Sequence, residues 1–347
     1  MNKRVVSIAH VAKKAGVSSM TVSRVIRGEP SVKEDTRTHV INIMRDLAYV
    51  PSAAAQALRS RDRLRSGGKR LFALIYGQGT ESSVTFFHDI ARGVEDAATE
   101  SGLYPLQIAP QQDPERSWLR LQTVLSIGSL CGALLVGQFS EEDARFIQSN
   151  VKNIVMVDGP APAGDGIESV ESGNLEGSLM ALDYLAGIGC RRIAVITVGR
   201  DHYFASAMET ASNLRRSDAM DIRVFFDCKC SQDARDIVTG LWERGERYDG
   251  IFTNDDFAIG AIKAFHEMNV AVPGEVKIVG FDDISYASFT SPTLTSIRID
   301  KFLLGAEAVR TLVTLTHSPE KAVGVKKVVK PTLVIRESTG GIKFPAL

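Results

Sequence analysis

Residues 7–27 read SIAHVAKKAGVSSMTVSRVIR, and the order of residue types there decides how the N-terminal part folds. Ser7 is a good N-cap for a first helix over Ile8 to about Ala15. Ala12 is small enough to let a second helix approach, and Gly16 stands where the turn needs a residue that tolerates positive φ. Ser18 can cap a second helix from about Ser19 to Ile26. Ile8, Val11, Ala15, Val17, Val22 and Val25 form one apolar face, while Ser19, Met20, Ser23 and Arg24 fall on another. An ordinary amphipathic hairpin would share part of this pattern, but the spacing is that of a helix-turn-helix, whose second helix enters the major groove of DNA.

Charge separates the two readings. The chain of 347 residues carries 41 Lys+Arg and 41 Asp+Glu, a formal net charge of +0. Residues 1–70 hold 15 basic and 5 acidic side chains, a balance of +10, which leaves −10 on the rest. A basic head on an acidic body is the electrostatic footprint of a head that meets polyphosphate and a body that repels it. A basic block alone could be a solvated face or a membrane patch, but here it coincides with the helix-turn-helix.

Val32 to Leu47 is expected to form a third amphipathic helix with Val32, Val40, Ile43, Met44 and Leu47 inward. Pro51 can open a short, small-sided helix through Ala53, Ala54, Ala55, Ala57 and Leu58. Arg59, Arg61, Arg63 and Arg65 follow, and Gly67-Gly68 ends the segment. The length allows a small head and a larger body. No apolar run reaches membrane-spanning length and MNKRVVS lacks the apolar core of a signal peptide, so a cytoplasmic protein is expected. The cysteines (Cys131, Cys190, Cys228, Cys230) suit a reducing compartment. Cys228-x-Cys230 has no second pair and is read as structural, with no metal site.

From residue 70 onward, apolar strand-like runs alternate with helical stretches. Strands are expected at Leu71–Tyr76, Leu103–Ala109, Gly132–Val136 and Ile154–Val157, then at Ile193–Val198, Ile222–Phe226, Gly250–Thr253 and Lys277–Phe281. Helices are expected from Phe86, Pro114 and Glu141, then from Asn174, Phe204, Ser231 and Asp255. Such alternation builds parallel sheets flanked by helices, and two sets suggest two similar lobes. The fold class is an all-α helix-turn-helix head on an α/β body of two parallel-sheet lobes.

The chain resembles the lactose-repressor/galactose-repressor family of bacterial transcription regulators over nearly its whole length. The resemblance rests on VAKKAGVSSMTVSRVI (11–26) and on Val50-Pro51-Ser52 leading to Ala57-Leu58 in the head. In the body it rests on FFHDIARGVEDAATESG (86–102), FTNDDFAIGAIKAF (252–265), VGFDDI (279–284), SPTLTSIR (291–298) and KPTLVIREST (330–339). It implies a body like the periplasmic sugar-binding proteins, with a small ligand in the cleft and a final segment, Thr295 to about Ile335, crossing back between lobes. The implied division is residues 1–50 as the DNA-binding head, 51–69 as hinge helix and linker, and 70–347 as the effector-binding and dimerisation body.

The resemblance assigns DNA contact to Ser19, Met20, Thr21, Ser23 and Arg24, with Arg24 suited to guanine O6/N7 and Met20 to shape or a thymine methyl. Ala57, Leu58 and Arg59 are the hinge contacts, Leu58 as a wedge that unstacks a central CG-like step of a pseudo-palindromic duplex operator. Effector contacts carried over are Phe86, Phe87, Asn254, Asp255 and Asp282. Carboxylates, an amide and aromatics suit a sugar or sugar acid better than hydrolysis. Two departures stand out. Many members place an arginine after the Ile193 strand where this chain has Ala207 or Met208, with Arg200 or His202 as substitutes from the preceding loop. They also often show Asp-Asn where this chain has Gly173-Asn174. The C-terminal TGGIKFPAL carries no leucine-heptad helix, so a homodimer is expected rather than a tetramer.

Two rivals belong to other classes. One is a cytoplasmic small-molecule-binding protein without DNA function, which leaves the +10 head unexplained. The other is a sugar-processing or nucleotide-dependent α/β enzyme. Gly77-Gln78-Gly79-Thr80-Glu81-Ser82 nearly matches G-x-G-x-x-G, but its third glycine is Ser82 and the helix is expected only from Phe86. There is no Walker loop, nucleophile elbow or H-E-x-x-H, so neither an enzyme nor a cofactor is expected.

Overall fold

The computed structural model describes residues 7–26, 29, 31–47, 49, 70–77, 84–108, 114–127, 130–160, 167–317 and 326–341. The head is three helices: α1 (Ile8–Ala15), α2 (Ser19–Ile26) and α3 (Glu34–Asp46). The turn between α1 and α2 is made as expected. Gly16 is left-handed at φ 67°, the Val17 amide donates to the Ala12 carbonyl at 3.0 Å, and the Ser18 hydroxyl accepts the Thr21 amide at 3.0 Å. Val11, Ala12, Ala15, Val22, Val25, Val40 and Met44 are buried together. Helix α3 buries Ile41 where Ile43 had been expected, and Ile43, Leu47 and Val32 are only partly buried at the rim of that core.

The body has two six-stranded sheets. The strands are β1 (Arg70–Tyr76), β2 (Leu103–Ile108), β3 (Leu130–Val136), β4 (Ile154–Val157), β5 (Glu168–Ser172), β6 (Arg192–Ile196), β7 (Asp221–Phe225), β8 (Gly250–Thr253), β9 (Lys277–Asp282), β10 (Thr295–Arg298), β11 (Lys326–Val329) and β12 (Thr332–Val334). The helices between them are α4 (Val84–Glu100), α5 (Pro114–Leu125), α6 (Glu141–Asn150), α7 (Asn174–Gly187), α8 (Tyr203–Arg215), α9 (Ser231–Glu243), α10 (Asp255–Glu267) and α11 (Lys301–His317). The first sheet runs β11-β5-β4-β3-β1-β2 and the second β12-β10-β9-β8-β6-β7. Pairing is parallel along β4-β3-β1-β2 and along β10-β9-β8-β6-β7, and antiparallel between β10 and β12. Strands such as LCGALLV and GIFT are buried on both faces, which is why they read as continuous apolar runs.

The expected strands all form, within a residue or two at their ends. Strands β5, β10, β11 and β12 have no counterpart in the expectation; for β5 the reason is that Glu168-Ser-Val-Glu-Ser172 is polar in sequence although Glu168, Ser169 and Ser172 are buried. The chain divides into two compact units, each assembled from three segments. The first comprises Met1–Thr80, Val94–Ser169 and Ala306–Lys326, and the second Glu81–Gly93, Val170–Gly305 and Lys327–Leu347. The final segment thus supplies residues to both units, as a crossover does. Cys228 is buried, its Sγ–H donates to the Cys230 carbonyl at 3.5 Å, and burial pushes its thiol pKa up to about 12, which makes it a packing residue. Among the described residues no helix is long and apolar enough to cross a membrane.

Candidate nucleic-acid interface and effector site

Helix α2 turns Val22 and Val25 into the core, and this fixes what it presents outward. Ser19 is exposed, Met20 is 59% exposed and Arg24 is exposed, while Thr21 and Ser23 are partly buried beside them. The Thr21 hydroxyl lies 2.9 Å from that of Ser18, which ties the first turn of α2 to its own cap. Arg24 Nε stands 3.6 Å from the Glu29 carboxylate. An exposed pair of this kind is worth ~0–1 kcal/mol, so the guanidinium can exchange Glu29 for a base edge at little cost. A short helix held by its buried face and offering Ser, Met and Arg side chains has the shape and chemistry of a major-groove reader. Ala57, Leu58 and Arg59 lie outside the described residues, as do 78–82 of the glycine loop.

The second unit carries the residues assigned to the effector. Strand β9 ends in Asp282, at φ 101°, and Asp283 follows at φ 48°. The two carboxylates have different surroundings. Asp283 is clasped by Arg298, Nε at 2.6 Å, and by Arg336, Nη2 at 2.7 Å. Asp282 is partly exposed at the strand end, where ligands bind in open α/β sheets. Lys301, at the start of α11, is nearly buried and donates from Nζ to the backbone carbonyls of Asp282 and Asp283. Its ammonium also lies 5.9 Å from the Phe86 ring centroid. Phe86 is buried and meets the partly buried Phe87 edge-on at 5.1 Å.

The other two assigned residues also have partners within the fold. Asn254 is the N-cap of α10, its Oδ1 accepting the Phe257 amide at 3.0 Å. Asp255 is fully buried, accepting the Ser296 hydroxyl at 2.7 Å and the Ile284 amide at 2.8 Å. Burial, then the nearby Asp282, hold its carboxyl well above the usual carboxylate range. The Asn-Asp motif therefore pins β9 and β10 to α10, and Asp282 is the carboxylate of the group that reaches the surface.

The departures noted in the sequence have physical counterparts. Met208 is buried in α8. Arg200 is engaged by Glu209 at 2.8 Å and lies over the Phe226 ring at 4.0 Å. His202 caps α8, its Nδ1 accepting the Phe204 amide at 3.2 Å, and burial lowers its pKa to about 4. The imidazole is thus neutral near pH 7, with its proton on Nε2. Lys301 and the Arg298–Asp283–Arg336 clasp were not anticipated, since no local motif marks a lysine that bonds to carbonyls 18 and 19 residues earlier.

Residues 7–52 match the lacI family of bacterial regulatory proteins, and residues 182–339 match the periplasmic binding protein-like domain. The ribose operon repressor of Escherichia coli is 30% identical over 320 residues, covering 89% of this chain and 92% of its own. The HTH-type transcriptional repressor PurR of Haemophilus influenzae is 29% identical over 347 residues, covering 97% and 99%. Among solved structures, the lac repressor dimer bound to operator and the anti-inducer ONPF aligns with TM-score 0.68 at 21% identity, covering 97% of this chain and 99% of that one. The transcriptional regulator CelR–cellobiose complex aligns with TM-score 0.69 at 24% identity, covering 96% and 99%. The chain belongs to the lacI family of bacterial regulatory proteins: it is a DNA-binding transcriptional repressor with a periplasmic binding protein-like body, and not an enzyme.

Proposed function

We propose that residues 1–50 are the operator-reading head, 51–69 the hinge and linker, and 70–347 the body that dimerises and binds effector. Ser19, Met20, Thr21, Ser23 and Arg24 read the major groove of each half-site, and Ala57, Leu58 and Arg59 enter the minor groove between half-sites with Leu58 as the wedge. The observation that carries this reading is the outward face of α2, with Met20 and Arg24 exposed opposite buried Val22 and Val25, in an N-terminal stretch, residues 1–70, of charge +10.

The effector is a small hydroxyl-bearing molecule of the sugar or sugar-acid class, held through Asp282 with Phe86 and Phe87 beside it. Asn254 and Asp255 act from behind, by fixing the strand end that carries Asp282. One relative is named as the repressor of a ribose operon and one solved structure is a complex with cellobiose, which supports the class and no particular compound. The protein works in the cytoplasm, where its operator lies.

The test is selection of random duplex DNA by the full-length protein at moderate salt without ligand. A recovered pseudo-palindrome with a central pyrimidine–purine step supports the reading. Enrichment of single, unpaired sites would overturn the paired-head arrangement.

A further inference from the structure

The first unit contains a contact that neither the DNA reading nor the effector reading uses. Helix α5 of the body sets Trp118, Leu121, Gln122 and Leu125 on one face, by their three- and four-residue spacing. Three of these are apolar, whereas Gln122 is polar and 0% exposed. Its Nε2 donates to the backbone carbonyl of Tyr49, in the head, at 2.8 Å. One helical turn earlier, the Trp118 ring lies under the Arg45 guanidinium, 4.8 Å from its centroid. On the other side Trp118 packs on Phe146 at 4.2 Å, within the body. Val40, Ile41, Met44 and Tyr49 of the head join Trp118 and Leu121 in one buried apolar cluster.

The contact is specific but incompletely satisfied. Arg45 Nε, Trp118 Nε1 and Gln122 Oε1 are buried without a hydrogen-bond partner among the described residues. A buried polar atom left unpaired weakens the assembly that buries it. This seam combines one hydrogen bond, one cation–π contact and apolar packing with three such atoms, which is the composition of a joint that can open.

We propose that Trp118 and Gln122 form a seat on the body into which Arg45 and Tyr49 of the head dock, and that the docked head is oriented for DNA rather than hidden from it. Orientation follows from what stays uncovered: Met20 is 59% exposed and Arg24 is exposed while the head is seated. A seated head follows any displacement of α5 directly, by a route separate from the linker. The existence of the seat is independent of the DNA reading; its orienting role rests on that reading.

The experiment uses the full chain with Trp242→Phe, which leaves Trp118 as the remaining tryptophan. Its emission is expected to be blue-shifted and weakly quenched by acrylamide. Arg45→Glu is expected to shift it to the red and raise quenching severalfold, with the far-ultraviolet circular dichroism retained. Ready quenching in the parent chain overturns the seat, whatever the variant does, and so does a Trp118 that stays equally shielded in a folded Arg45→Glu chain. Gln122→Ala then tests the role on selected operators whose half-sites are re-spaced by a base pair. It is expected to bind the selected spacing more weakly and to discriminate less between spacings. A Gln122→Ala protein that discriminates as the parent does overturns the orienting role and leaves the fluorescence result standing on its own. Failure to select any operator would instead strike the DNA reading.

Discussion

Gly280 makes room for Asp255: a Cβ at position 280 would stand 1.9 Å from the Asp255 carboxylate oxygen Oδ1. The carboxylate lies flat on β9 because that strand has no side chain there, and from this position it receives both Ser296 and Ile284. Gly280→Ala is therefore expected to destabilise the protein by about 1–3 kcal/mol, as overpacking does. Urea unfolding followed by circular dichroism measures it, and an unchanged midpoint would show that Asp255 can move without loss.

The raised pKa of Asp255 gives a pH signature of known sign. Its ordinary value is 3.8 and burial holds the folded-state value well above that. Between the two values the unfolded chain has released the proton and the folded chain still holds it, so this group costs stability as pH rises. Asparagine at 255 does not titrate; its Oδ1 can accept the Ile284 amide while its Nδ2 donates to the Ser296 hydroxyl, reversing that bond. The stability of Asp255→Asn relative to the parent is expected to increase as pH is raised above 3.8. Unfolding free energies of the two proteins at a series of pH values check this, and parallel curves would mean that the carboxyl is not desolvated.

These two residues also mark where sequence reading reaches its limit. The helix-turn-helix was legible because its signals are local: Ser7, Gly16 and Ser18 sit at fixed offsets from an apolar stripe. The parallel strands were legible because burial on both faces writes continuous apolar runs. Site residues carry no such period. Asp255 and Asp282 look equivalent in the chain, each beginning an acidic pair after a strand, and only packing separates them. Ser296 lies 41 residues from Asp255, and Arg336 far from Asp283, so the partners that bury one acid and neutralise another are invisible locally. Strand β5 is hidden for a different reason: its polar residues write no apolar run although most of them are buried.

His202 predicts the opposite pH dependence in the same unit. Burial lowers its pKa from 6.5 to about 4. A depressed histidine contributes stability that is present above pH 6.5 and is lost as pH falls from 6.5 through about 4. The full effect of such a shift is on the order of 3 kcal/mol. His202→Asn retains a side-chain acceptor for the Phe204 amide and removes the titration. Its unfolding free energy is expected to fall less steeply over that range than the parent's. Equal slopes would show that the imidazole remains hydrated.

Arg24 is the head residue with the sharpest expected phenotype. Its pairing with Glu29 is exposed and 3.6 Å long, so removing it costs the fold little. If the guanidinium reads a guanine, Arg24→Ala should lose about 1–3 kcal/mol on the selected operator and relax preference at one base pair per half-site. Loss of affinity that is uniform across operator variants, with a shallower salt dependence, would reassign Arg24 to a phosphate.

Phe289 is 83% exposed and Tyr286 58% exposed, on the loop between β9 and β10. Two exposed aromatic groups on one short segment suit an apolar contact with a partner. If two copies pair through this face, a two-fold axis sets the patch of one copy against the same patch of the other, with this loop inside it. Phe289→Asp puts a carboxylate into that apolar contact. It is expected to raise the dimer dissociation constant by at least about tenfold, a loss of about 1.4 kcal/mol, while leaving the melting of the monomer fold nearly unchanged because the side chain is not part of a core. Light scattering across a dilution series measures the dissociation. Operator binding should weaken in parallel, because the two heads are then no longer joined. A Phe289→Asp protein that stays dimeric on dilution would place the interface elsewhere on the body.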